Sequence, residues 1–144
     1  MTQLEAALKG IVTDEMKKVA EDEGVQLESL MANIAAGKTV IPRNKNREYA
    51  NVMGIGKSLR TKVNANIGTS GDRPALEPEL CKLQAALDAG TDSIMDLSTG
   101  GDLLAIRKEM LSRSPVMVGA VPLYAVAAEL AAKDISTYQM DVDI

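Results

Sequence analysis

The chain has 144 residues, 46 % apolar and 25 % charged, with a formal net charge of -4; a core can form, and a disordered chain is excluded. Sixteen basic residues are scattered among 20 acidic ones, and the longest basic cluster, Arg43–Arg47, is short, so no nucleic-acid partner is expected. There is no His and only one Cys, Cys81, so these residues lack the commonest transition-metal ligand and cannot alone hold a zinc tetrad or an iron–sulfur cluster.

The first part reads as helical. Thr13 is placed to cap a helix over 14–23, with Asp14 and Glu15 in its first turn and Gly24 as its stop. Leu27, Leu30, Met31 and Ile34 recur at helical spacing and predict a second helix over 27–36, ended by Gly37. Thr39–Ile41 is a short strand candidate stopped by Pro42. A polar, irregular stretch follows over 43–57, in which Gly54 and Gly56 suggest tight turns.

From about Leu59 the pattern changes. Strands are predicted over 63–67, 93–97 and 116–121, with helices over 77–89 and 102–112 and an Ala-rich helix reaching about Lys133. Strand, loop and helix thus repeat three times, with strand starts about 25–30 residues apart, the period of parallel βαβ units. The fold class is therefore α/β. A (β/α)8 barrel suits short buried strands with polar loops at their C-terminal ends, and three units supply only its first part. A doubly wound open sheet is the structural alternative. The expected organisation is a small, mainly helical N-terminal domain over 1–58 and the first part of a barrel over 59–144. The last residues, DISTYQMDVDI, carry neither cap nor charged tail, so the chain is expected to stop within a domain.

Three segments at strand ends are candidates for chemistry. In Asn64–Ser70 the two asparagines point to one face of a strand, where carboxamides can read a polar ring or an amino group; a plain Asn/Gly/Ser turn is the competing reading. In Met95–Asp102, Asp96 sits among apolar residues and must be either paired or active. Ser98–Gly101 precedes a helix whose N-terminus favours anions, although the Gly-Lys-Ser/Thr ending of a P-loop is missing; alternatively Ser98, Thr99 or Asp102 simply caps that helix. In Gly119–Tyr124, Tyr124 can hydrogen-bond or stack on a ring, or fill the core with its hydroxyl at the rim. Cys81 reads as buried helix packing.

No stretch of about 18 apolar residues occurs, so no membrane span is expected. The first residues lack a basic region followed by an apolar run, so they do not read as a signal peptide. The single cysteine excludes an internal disulfide and fits a reducing, cytoplasmic location.

The segments LRTKVNANIG (Leu59–Gly68), MDLSTGGD (Met95–Asp102) and VGAVPLY (Val118–Tyr124), in this order, resemble the phosphomethylpyrimidine synthase (ThiC) family of radical-SAM enzymes. The opening MTQLEAALKGIVTDEMKKVAEDEGV and the lead-in GIGKSLRTK are similar to that family as well, and the resemblance covers its N-terminal third. It implies a (β/α)8 barrel preceded by an N-terminal domain and followed by an iron–sulfur domain. It also implies a lyase-type radical rearrangement of 5-aminoimidazole ribotide to 4-amino-5-hydroxymethyl-2-methylpyrimidine phosphate in thiamin biosynthesis. A [4Fe–4S] cluster and S-adenosylmethionine are the implied cofactors, with a second, zinc-type metal and a homodimeric assembly. Carried onto this chain, the resemblance assigns Asn66, Met95 and Tyr124 to the ribotide, with Asp96 and Ser98 as secondary, neighbouring substrate-site residues. The cysteine triad and histidines that hold the metals in the family have no counterpart here, so neither catalytic nor metal-binding residues are expected in these residues, and the chain alone is expected to be inactive. Where thiamin-pathway members read VGTVPIYQ, this chain has Ala120, Leu123 and Ala125, and the IPRNKNRE stretch lacks the usual His after its second Asn. A paralogue making 5-hydroxybenzimidazole from the same ribotide, for the lower ligand of cobamides (cobalamin biosynthesis), therefore competes with the thiamin reading, as does a non-catalytic partner subunit.

Overall fold

The computed structural model describes residues 1–44, 46 and 52–137. Residues 45 and 47–51 of the irregular stretch expected over 43–57, with the position of the missing His, and residues 138–144 of the expected abrupt end lie outside the described residues. The chain divides into two compact units, Met1–Lys62 and Val63–Ile144.

In the first unit, α1 (Gln3–Leu8), α2 (Asp14–Glu23) and α3 (Leu27–Ala35) pack with a small hairpin of β1 (Thr39–Val40) and β2 (Ile55–Gly56), which run antiparallel. α1 is set by a capping box: the Thr2 side chain accepts from the Glu5 N–H, and the Glu5 carboxylate takes the Thr2 N–H. Thr13 caps α2 by accepting from the Met16 N–H at 3.2 Å, and Gly24 ends the helix in the left-handed region at φ 64°. Buried Ala6, Met16, Val19, Leu30, Ile34 and Ile41 form the core between these elements. Gly54 is not a turn residue; it lets the chain pass over Val19 and Leu59, whose side chains a Cβ would meet at 2.8 and 2.6 Å. Gly56 lies within β2, where a Cβ would strike the Lys38 carbonyl oxygen at 2.3 Å.

The division between the units falls after Lys62, where the sequence placed it after Ser58, and Glu23 supplies the physical reason. At the end of α2 its carboxylate accepts from the Arg60 N–H at 2.8 Å and pairs with Lys62 Nζ at 2.7 Å. The Glu23 and Lys62 side chains are 8 % and 7 % exposed, so residues 59–62 are tied to the helices before them. Burial pushes the Glu23 carboxyl upward in pKa, but the Lys62 hydrogen bond, the Arg60 N–H and both positive charges outweigh it and leave the carboxyl below its usual range.

The second unit carries β3 (Asn64–Ile67), α4 (Leu76–Asp88), β4 (Ser93–Asp96), α5 (Leu103–Arg113), β5 (Met117–Ala120) and α6 (Pro122–Ala132). Its three strands are parallel, in the order β3-β4-β5, and register Asn66 with Met95 and Met95 with Gly119. Ile67, Ile94 and Val116 meet Leu80 and Leu83 of α4 and Ile106 and Met110 of α5 in one buried cluster, which Ala65 and Val118 border. These helices therefore cover one face of the sheet. Pro122 opens α6 at a position where its missing N–H is no loss. Among the described residues no helix is long and apolar enough to cross a membrane.

Glu23→Gln is expected to lower stability by about 2 kcal/mol at pH 7, because it leaves the buried Lys62 ammonium without its counter-charge. A carboxylate whose pKa is depressed by folding stabilises above its unfolded value, about 4.3, and loses that contribution as pH falls through the folded value. Urea unfolding should therefore show the gap between wild type and variant closing below about pH 4; a gap that stays constant contradicts this role for Glu23.

Candidate functional site

Alternation along the strands divides the candidate residues between two faces of the sheet. Asn64 and Asn66 of β3, Ser93 and Met95 of β4, and Met117 and Gly119 of β5 share the face opposite α4 and α5. Both asparagines are exposed and Met95 is half-buried. Asn66, Met95 and Gly119 form one row across the strands. Met95 lies over Gly119, where a Cβ would come 3.0 Å from Met95 Cε and 3.1 Å from Sδ, so the thioether occupies the space a larger residue in β5 would need. Within the face the polar groups satisfy one another: the Ser93 hydroxyl donates to Asn64 Oδ1 at 2.8 Å, and Asn64 Nδ2 donates to Asn66 Oδ1 at 2.8 Å.

Asp96 belongs to the other face. It is fully buried, accepts from Arg107 Nε at 2.9 Å through Oδ2, and accepts from the Ser98 N–H at 2.9 Å through Oδ1. Of the two readings open for Asp96, paired or active, the geometry is that of a paired carboxylate. Ser98, also fully buried, extends the chain of contacts: its hydroxyl accepts from the Thr69 N–H at 3.1 Å. Thr69 then donates through Oγ1 to the Gly100 carbonyl at 2.6 Å and accepts from the Thr99 N–H at 2.9 Å. The loops after β3 and β4 are thereby stitched together. Their glycines make the approach possible: a Cβ on Gly68 would stand 2.6 Å from the backbone of Leu97 and Ser98, and one on Gly100 would stand 2.5 Å from the backbone of Ser70.

The structure thus brings Asn66 and Met95 together and places Asp96 and Ser98 on the helix side, as supports of the loops. Tyr124 stands in the first turn of α6, just past the C-terminal end of β5, with 38 % of its surface exposed. It shares the strand-end edge with the Gly68 and Ser98 loops. The anion site considered for Ser98–Gly101 is otherwise employed: Asp102 caps α5, accepting from the Ala105 N–H at 2.9 Å. Cys81, read as buried, is exposed.

Two contributors were not singled out by their sequence pattern. Arg107 lies 11 positions beyond the carboxylate it neutralises, and its own signal is a cation on the inner face of a predicted helix. Ser93 opens β4 and pairs with Asn64 across the ladder; only the strand register reveals it. No group of three or more His, Cys, Asp or Glu that could hold a metal ion occurs among the described residues. A groove of about 510 Å³ in the N-terminal unit, lined by Gln3, Thr13, Ile34, Val40 and Arg43 among others, contains none of the candidate residues.

Comparison with known proteins places the chain among relatives of one family. A family model described as the radical SAM ThiC family matches residues 2–144. The chain is 54 % identical over 143 residues to phosphomethylpyrimidine synthase of Moorella thermoacetica, covering 99 % of this chain and 33 % of that protein. It is 54 % identical over 129 residues to the synthase of Desulforudis audaxviator, covering 90 % and 30 %. Against the synthase of Thermococcus kodakarensis it is 49 % identical over 140 residues, covering 97 % and 33 %. The chain therefore spans about a third of the length of the curated relatives it matches.

Removing the charge of Asp96 without changing its shape, by Asp96→Asn, leaves the Arg107 guanidinium uncompensated and is expected to lower stability by about 3 kcal/mol. Urea denaturation followed by circular dichroism measures it, and a midpoint equal to wild type contradicts the support role.

Proposed function

The chain belongs to the radical SAM ThiC family, and from that premise we propose that it forms the ribotide-holding first part of a phosphomethylpyrimidine synthase. The reaction is the rearrangement of 5-aminoimidazole ribotide to 4-amino-5-hydroxymethyl-2-methylpyrimidine phosphate. The observation that carries this reading is the row of Asn66, Met95 and Gly119 on a sheet face that the buried cluster with α4 and α5 leaves open. A face of carboxamides, a hydroxyl and thioethers suits a polar heteroaromatic ligand better than a packing partner.

In this reading the three parallel strands are the first staves of a (β/α)8 barrel, and the Asn66 face is its interior near the C-terminal mouth. Consecutive strand order and helices on the opposite face support that placement. Asn66 hydrogen-bonds the ribotide, Met95 packs on its ring, and Tyr124 reaches it through the phenol hydroxyl from the strand-end edge. Asp96, Ser98, Thr69 and Arg107 hold the loops around that mouth without touching the ligand.

Family membership brings a [4Fe–4S] cluster and S-adenosylmethionine, which supply radical chemistry when bound. This chain's residues do not fit such a cluster, which needs several cysteine thiolates: it has one cysteine, on α4, and no histidine for a second metal. The cluster and the zinc-type metal therefore belong to residues outside these 144. What this chain contributes is binding and orientation, in an enzyme that acts in the cytoplasm as a homodimer.

The test uses the full-length enzyme, reconstituted with its cluster and incubated anaerobically with S-adenosylmethionine and the ribotide. Mass spectrometry should find the pyrimidine phosphate, and Asn66→Ala should weaken ribotide binding about tenfold. 5-Hydroxybenzimidazole as product would reassign the chain to the cobamide branch; absence of any turnover of the ribotide would support a non-catalytic subunit.

A further inference from the structure

Asn66 is one of three polar side chains on its face that are joined in a line, and the direction of that line decides what Asn66 can offer. We propose that Asn64 and Ser93 are positioning residues that lock the Asn66 carboxamide with its Nδ2 outward, so that the site recognises a hydrogen-bond acceptor of the ligand. This rests on the reading of Asn66 as a ribotide contact.

A serine hydroxyl donates one hydrogen, and that of Ser93 goes to Asn64 Oδ1 at 2.8 Å. With its oxygen so engaged, Asn64 turns its Nδ2 toward Asn66 and donates to Oδ1 at 2.8 Å. The Asn66 oxygen is then held toward Asn64 by one of its lone pairs, and its two N–H groups are turned outward to a ligand. A carboxamide on an open strand would otherwise rotate about its last torsion, which is broad and roughly two-fold. The line removes that freedom before the ligand arrives, and each bond in it polarises the next. The ligand atom that fits is an oxygen or an unprotonated ring nitrogen: a phosphate or hydroxyl oxygen, or the imidazole nitrogen that bears no hydrogen. An exocyclic amino group does not fit, because it would face another donor. The register makes the arrangement possible, since Asn64 pairs directly with Ser93 while Asn66 follows two residues on, on the same face.

Both asparagines are exposed, so variants there do not disturb the buried cluster. In the full-length enzyme, Asn64→Asp converts the donor facing Asn66 into an acceptor and should flip the Asn66 carboxamide, weakening ribotide binding measured by anaerobic calorimetry about tenfold at an unchanged melting temperature. Ser93→Ala should weaken binding about threefold, and Ser93→Thr, which keeps the hydroxyl, should restore wild-type affinity. In an Asn66→Ala background, Asn64→Asp should have no further effect, since the residue it acts through is gone. If Asn66→Ala weakens binding but Asn64→Asp does not, the line runs in the opposite sense and the proposal is overturned while the ribotide reading stands. If Asn64→Asp weakens binding equally in both backgrounds, Asn64 meets the ligand itself and the positioning role is overturned. If Asn66→Ala binds as wild type, the reading of Asn66 fails and the proposal with it.

Discussion

A carboxylate with no exposure at all, Asp96, organises the C-terminal unit. A buried charge is tolerable only when it is paired and hydrogen-bonded, and both conditions draw distant pieces of chain to one place. Arg107 comes from α5, the Ser98 N–H from the loop after β4, and Ser98 in turn catches Thr69 in the loop after β3. Two strand-end loops and a helix are thus fixed by one side chain. Gly68 and Gly100 follow as consequences, because loops drawn this close leave no room for a Cβ.

The same register that points Asp96 toward the helices points Met95 and Asn66 away from them. One residue of slip would exchange the faces, burying carboxamides against Leu83 and Ile106. The support network and the candidate ligand face are therefore two sides of one constraint. In the radical SAM ThiC family reading, this separates what this chain contributes, a preorganised polar surface, from the radical chemistry that its residues do not fit.

Much of this was legible in the sequence, because the signals were local. Thr13, Gly24, Gly37 and Gly90 punctuate helices through caps and left-handed turns whose chemistry is contained within a few residues. Asn64 and Asn66 fall on one face by the period of a strand alone. Other features depend on partners far along the chain. β2 is two residues long and exists only through its pairing with β1, so no pattern announces it. α1 is short, and although its Thr2–Glu5 capping box is written in the sequence, too few residues follow to show a period. The choice between a paired and an active Asp96 turned on Arg107, and the end of the first unit turned on Glu23, which reaches 37 positions forward to Arg60.

In the proposed reading the ligand lies on the Asn66–Met95 face, while Asp96 and Ser98 hold the loops from the other side. A crystal structure of the full-length enzyme with 5-aminoimidazole ribotide tests it most directly. The ribotide should lie against Asn66 and Met95, with Asp96 still paired to Arg107. A ribotide contacting Asp96 or Ser98, or an Asn66 face filled by protein side chains, would contradict it.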